Sequence, residues 1–253
     1  MPSKIPSISK FEDELLRNPR TQPSSPGHQI AYWLRRDIVR GVFLPDERLK
    51  LELLTRFYDA GHTPVREAIL FLAAGGLVVH AHQKGHRVAP VSVADYRDTV
   101  DIYGRVRRLA LTMAIERGDD AWEEKVIVQL HRSKKVPHVL PGDDHEGRER
   151  WQRAYGDFYD TLIGGCGSAL LIEFYGDLVA RAERYINLFG DQSSDQLRDH
   201  AAEHAEVVEA MIARDAKRLI KVLDDTNVRA KPMRDSTMAA LKKLERSDST
   251  AAH

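Results

Sequence analysis

Residues 63–88 read TPVREAILFLAAGGLVVHAHQKGHRV, and the hydrophobic period changes in the middle of them. Val65, Ala68, Ile69 and Leu72 recur at helical spacing, which gathers them on one face and leaves Arg66 off it. Thr63 before Pro64 predicts a helix start, with Thr as cap and Pro in the first turn, where its missing N–H costs nothing. Gly75-Gly76 then stops the helix. Leu77-Val78-Val79 and Arg87-Val88 read as two short strands, with Gln83-Lys84-Gly85 at the hairpin tip.

The preceding residues supply the rest of the unit. A first helix opens at Ser25-Pro26, carries Ile30, Trp33, Leu34 and Ile38 on one face, and ends at Gly41. A second runs from about Lys50 to Asp59, with Leu51, Leu54 and Tyr58 in register and Gly61 beyond its end. Helix, helix, short turn, helix and hairpin in this order make a winged helix-turn-helix, whose third helix enters a major groove while the hairpin tip follows the duplex. An amphipathic helix before a hairpin also occurs in proteins that never touch DNA. Charge helps only a little: the whole chain is balanced at 38 basic and 38 acidic side chains, but His28 to Pro90 carries nine basic against six acidic.

Beyond Pro90 the pattern turns wholly helical. Ser92 caps a long helix over Val93 to Arg117, closed by Gly118. Trp122, Val126 and Leu130 mark the next, followed by Trp151, Tyr155, Phe158 and Leu162, then Leu170, Phe174, Leu178 and Tyr185. Leu197 to Met211 and Ala216 to Leu223 mark two more. The expected fold is mainly α: an arm over 1–27, a winged helix-turn-helix over 28–91, an all-α bundle over 92–230, and a C-terminal tail over 231–253 with a weak helix near Ser236 to Glu245. One cysteine, Cys166, allows no intramolecular disulfide. No apolar run reaches the length of a membrane span and the start has no signal core, so the chain reads as cytoplasmic.

The segment IVRGVFLPDERLKLELLTRFYDAG together with TPVREAILFLAAGGLV and its wing resembles the GntR family of bacterial transcription regulators. SVADYRDTVDIYGRVRRLALTMAIERG resembles the start of the all-helical ligand-sensing FCD domain of the family's FadR-like branch. LLTRFYDAG, HQKGHRVA, AIERGDDAWE and GGCGS are similar to its carbon-starvation, glutarate-responsive repressor subgroup. The resemblance implies that Arg66 reads a base edge, that Thr63 holds phosphate, and that Lys84 and Gly85 form the wing contact with Arg87 beside them. The turn here is two residues shorter than the family's and lacks a second Arg, with His62 near its place. The implied partners are a pseudo-palindromic double-stranded operator, a second copy of the chain and a small organic-acid effector.

Many relatives hold a divalent metal in the bundle, and the positions matching their Asp and three His ligands are Tyr155, Tyr159, His204 and Thr226. Only one His remains, and a phenol stays protonated at neutral pH, so no tightly bound metal and no other cofactor is expected. Where relatives carry Arg and Glu on the first bundle helix, this chain has Tyr103 and Arg107. Tyr103, Arg107, Tyr155, Tyr159, Arg184 and His204 are the candidate effector residues, two guanidinium groups and several phenols suiting a carboxylate. For Tyr155 and His204, which sit on apolar stripes, a place in a satisfied core is the alternative. Nothing around Cys166 suggests a nucleophile, and no catalytic constellation is present, so an enzyme is not expected. Two other functions remain open: a regulator that has lost its effector, and a ligand-binding bundle with a vestigial head.

Overall fold

The protein is described by a computed structural model that covers residues 25–81, 85–138, 145–191 and 198–251. It divides into two units, Met1–Pro90 and Val91–His253.

In the first unit, α1 (Pro26–Val39) starts where Ser25 Oγ accepts from His28 N at 3.3 Å, with Pro26 in its first turn. It ends ahead of Gly41, whose φ of 78° suits a residue without Cβ. α2 (Leu51–Phe57) and α3 (His62–Ala74) follow, then the antiparallel strands β1 (Val78–Ala81) and β2 (Gly85–Val88). The strand register pairs Val78 with Val88 and His80 with His86. The side chains of Leu34, Ile38, Leu54, Val65, Ala68 and Val88 are fully buried, so the apolar faces of all three helices and the hairpin meet in one core. One boundary differs from expectation. Gly61 is the cap of α3 and the helix begins at His62, which puts Thr63 and Pro64 in its first turn. That turn tolerates the proline because its N–H groups have no intrahelical acceptor.

The second unit is a helical bundle: α4 (Val93–Arg117), α5 (Asp120–Ser133), α6 (His145–Gly164), α7 (Ala169–Phe189), α8 (His200–Ile212), α9 (Ala216–Arg229) and α10 (Lys231–Ala251). Side-chain oxygens cap α4, α5, α7, α8 and α9 through Ser92, Asp119, Ser168, Asp199 and Asp215, each accepting an otherwise orphaned N–H. The last element corrects the expected polar tail. α10 is a continuous helix that packs on α7 and α4, burying Met233, Thr237 and Leu241 four residues apart. The threonine interrupts the apolar pattern in sequence, but its hydroxyl donates to Met233 O at 2.9 Å and so is buried without an unmet polar group. At its far end Glu245 Oε1 accepts from Val93 N at 2.8 Å, capping the start of α4.

Trp122 organises the core. Its indole Nε1 donates to Thr161 O at 3.0 Å and Leu162 O at 3.2 Å, tying α5 to α6. The ring lies flat against two glycines: a Cβ on Gly118 would come within 2.1 Å of it and one on Gly165 within 2.5 Å. Arg214 closes the third side, its guanidinium 5.5 Å from the ring and Nη1 donating to Ile115 O at 2.6 Å. Gly165→Ala must therefore push the indole off its acceptors. We expect a loss of about 1–3 kcal/mol in urea unfolding, against a gain of about 0.4–1 kcal/mol for the helix-surface change Gly104→Ala, where a Cβ meets nothing within 4 Å.

Candidate nucleic-acid interface and effector pocket

On the first unit the residues expected at DNA separate into three groups. His62, Thr63 and Arg66 are all exposed at the start of α3 and along its solvent face. Among the described residues Arg66 has neither an ion pair nor a hydrogen-bond partner, and Val65, Ala68 and Ile69 on the opposite face anchor the helix. Gly85, with φ 75°, opens β2 in the left-handed region and has open space where a Cβ would stand. Lys84 lies outside the described residues. Arg87 departs from expectation: Nη1 donates to Asp46 O at 2.7 Å and sits 3.6 Å from the Asp46 carboxylate. The segment 46–49 runs along β2, with Leu49 N donating to His86 O and Val88 N to Glu47 O, both at 2.9 Å. Arg87 thus braces that segment against the wing. Exposed Arg48, Lys50 and Arg56 add positive charge that spacing alone did not single out.

In the bundle, five of the six candidate effector residues come together. Arg107 Nη1 donates to Tyr103 Oη at 3.4 Å, and its guanidinium lies 5.0 Å from the Tyr159 ring. Tyr103 stacks on Tyr175 at 5.7 Å, Tyr155 lies 5.1 Å from Tyr159, and both flank His204 at 5.3 and 5.8 Å. Burial first, then neighbouring phenols, raises Tyr155, Tyr159 and Tyr175 above the usual phenol range, so all three stay protonated. Burial works against the Arg107 charge, but the oxygens of Tyr103, Tyr159, Tyr155 and Tyr175 more than offset it and the guanidinium stays charged.

Arg184 does not join them. It is buried with Tyr185, 5.4 Å from that ring, near Asp95 at the start of α4. Nine residues separate it from Tyr175 on α7, two and a half turns, which turns it to the opposite face and carries it about 13 Å along the axis. Its neighbourhood is a second, smaller core in which Tyr185 Oη donates to Asp95 Oδ2 at 2.5 Å.

The phenol cluster borders a cavity of about 410 Å³ lined by Lys134, His138, Trp151, Arg198, His200 and His204, among others. His138, Trp151 and His200 form an aromatic wall with centroids 4.3–5.0 Å apart. Arg198 grips Glu203 through Nε and Nη2 at 3.1 and 2.5 Å, so one lining guanidinium is already matched to a buried carboxylate. Reading from the sequence missed Arg198, Lys134 and His138. They lie just outside helix ends, where no periodicity marks an inward face, whereas Trp151 was legible on its stripe.

His204 is the hinge between cluster and cavity. Its ring stacks on Phe158 at 3.8 Å and its Nδ1 lies 3.2 Å from Ser133 Oγ. Burial, helped by the charges of Arg198 and Arg107 and by His200, pushes it down to about 3, so it is neutral. The donor set around it does not fit the divalent ion that the family resemblance implies. One neutral imidazole, two protonated phenols and the Thr226 hydroxyl offer no anionic ligand. Among the described residues no three His, Cys, Asp or Glu side chains gather as a metal site.

Two family models match the chain: bacterial regulatory proteins of the gntR family over residues 26–88 and the FCD domain over residues 98–225. The chain is 32% identical over 194 residues to the HTH-type transcriptional repressor GlaR of Escherichia coli (strain K12), covering 76% of this chain and 87% of that protein. It is 32% identical over 190 residues to the HTH-type transcriptional regulator BphR of Paraburkholderia xenovorans (strain LB400), covering 75% and 77%. Among solved structures, E. coli McbR/YncC superposes with a TM-score of 0.66 at 18% identity, over 87% of this chain and 99% of that one. A GntR regulator from Rhodococcus sp. RHA1 follows at 0.58 and 19%, over 83% and 98%.

The depressed His204 has a sign that can be measured. The native ring stays neutral while the unfolded chain takes up a proton near pH 6.5, so the fold loses stability as pH falls from about 6.5 toward 3. Between pH 6.5 and 5 the loss from this one group is about 2 kcal/mol. Urea unfolding at pH 7 and pH 5 should show a fall larger by about that amount in the wild type than in His204→Phe, which keeps the stack on Phe158 and cannot titrate.

Proposed function

The chain belongs to the GntR family of bacterial transcription regulators with an FCD second domain, and on that premise we propose that it is a repressor whose grip on a two-fold operator is loosened by a small organic acid bound in the bundle. As a member of that family it is a regulator that binds DNA, and regulators of this family typically act as dimers. Among the described residues no helix is long and apolar enough to cross a membrane.

The observation that carries the reading is Arg66: an exposed guanidinium without a partner among the described residues, one turn into a helix whose opposite face is locked in the core. Placed in a major groove it meets guanine O6 and N7 with two parallel hydrogen bonds. Thr63 and His62 supply phosphate and base-edge contacts at the helix start, and the wing around Lys84 and Gly85 follows the backbone. In a dimer two such helices stand about 34 Å apart on one face of the duplex, which demands an operator with matching half-sites. The effector part is supported by the gathering of Arg107 and four phenols beside His204, next to a cavity of a size that suits a small acid. Ligand weakens operator binding only through its different affinity for the bound and released states.

The test is fluorescence anisotropy on the intergenic DNA beside the protein's own gene, against shuffled DNA of equal composition, across a salt series. Wild type should prefer the native sequence at physiological salt, and Arg66→Ala should lose about 1–3 kcal/mol of that preference while keeping its salt-dependent attraction to any duplex. An Arg66→Ala protein with unchanged preference would remove the reading helix from the account.

A further inference from the structure

The protonation pattern around His204 follows from one hydrogen. Ser133 Oγ donates to Leu130 O at 3.0 Å, which uses the hydroxyl's only proton. Toward His204 Nδ1, at 3.2 Å, the same oxygen can then only accept. Of the two tautomers, this pair of contacts matches the one with the ring proton on Nδ1 and a bare lone pair on Nε2. That atom is buried and has no hydrogen-bond partner among the described residues; the residue is only 5% exposed and stands in the cavity wall beside Ser133. A buried acceptor left unmatched costs free energy that a bound molecule can recover.

We propose that His204 Nε2 accepts a hydrogen bond directly from a hydroxyl or N–H carried by the effector, in the place where related pockets interpose a metal ion. The inference rests on the reading of the bundle as an effector site and narrows its ligand to an organic acid that brings its own donor. The neighbouring side chains leave the task to the ligand. Tyr155 and Tyr159 approach the ring by their faces and edges, and neither makes a hydrogen bond to Nε2. Phe158 covers one face of the imidazole and fixes its plane. Ser133 is a positioning residue: it holds the proton on Nδ1 and so keeps Nε2 an acceptor. An acid without the donor leaves the acceptor buried and unmet, which should weaken it roughly tenfold or more against its hydroxylated counterpart.

The experiment compares matched acids on the full-length protein in EDTA, by thermal shift and calorimetry: succinate with malate, propionate with lactate, benzoate with 4-hydroxybenzoate. We expect at least one hydroxylated member to bind about tenfold or more tightly than its partner. That ratio should collapse in Ser133→Ala, which frees the ring to protonate Nε2, and in His204→Phe. Nitrogen-15 NMR of labelled histidine should find His204 as the Nδ1–H tautomer in the wild type, a signature that a packing role alone would not move. Equal binding within every pair that binds, binding that requires added Zn²⁺, or an Nε2–H tautomer would overturn the inference and leave the effector reading standing. If no acid shifts the melting curve with or without Zn²⁺, the effector reading falls, and this inference with it.

Discussion

The indole of Trp122, held between two glycines and hydrogen-bonded to the carbonyls near the end of α6, is the contact on which the bundle depends. It locks α5 against α6 at one end, and part of the cavity wall and most of the phenol cluster's contacts to His204 hang from those two helices. Ser133 is the last residue of α5; Tyr155, Phe158 and Tyr159 project from α6. A helix pair free to slide by a fraction of an ångström could not hold a 3.2 Å contact between Ser133 and His204 and a 3.8 Å ring stack at once. Rigid packing at the tryptophan is what allows a bare nitrogen to be kept at the pocket.

Much of the fold was legible because its signals are local. Ser25-Pro26, Ser92, Gly118 and the Gly75-Gly76 stop are helix punctuation with a backbone reason behind each, and the structure uses them as such. The apolar stripe Ile30, Trp33, Leu34, Ile38 is the buried face of α1. What escaped is non-local. At the C-terminus only a weak helix near Ser236 to Glu245 was legible, whereas α10 runs from Lys231 to Ala251, because Met233, Thr237 and Leu241 bury against other helices and the Thr237 hydroxyl is met by Met233 O. At the candidate site, Tyr103, Arg107, Tyr155, Tyr159 and His204 could be paired from helix faces and family positions. Arg184 could not, because its distance from Tyr175 in turns of helix matters more than its charge. Arg198 and His138 had no periodicity to betray them.

The reading head shows a similar division of labour. Its third helix presents an arginine with no partner among the described residues, while another arginine, Arg87, is held by Asp46 and braces the wing. Two cations a strand apart in the same unit therefore have opposite employment. The difference comes from which has a carbonyl and a carboxylate within reach.

The cap that Glu245 places on Val93 joins the last helix of the second unit to the first residues of its first helix. Those two partners are 152 positions apart along the chain. The head has a hydrophobic core of its own within residues 25–90, built from α1–α3 and the hairpin, and can fold as soon as that stretch leaves the ribosome. The bundle cannot: until residue 245 has been made, Val93 N at the start of α4 lacks its carboxylate acceptor and the Tyr96, Tyr185 and Leu241 core lacks a wall. During synthesis this protein thus acquires its DNA-reading surface well before the domain proposed to govern it is complete, and a prematurely terminated chain would carry the head without its control.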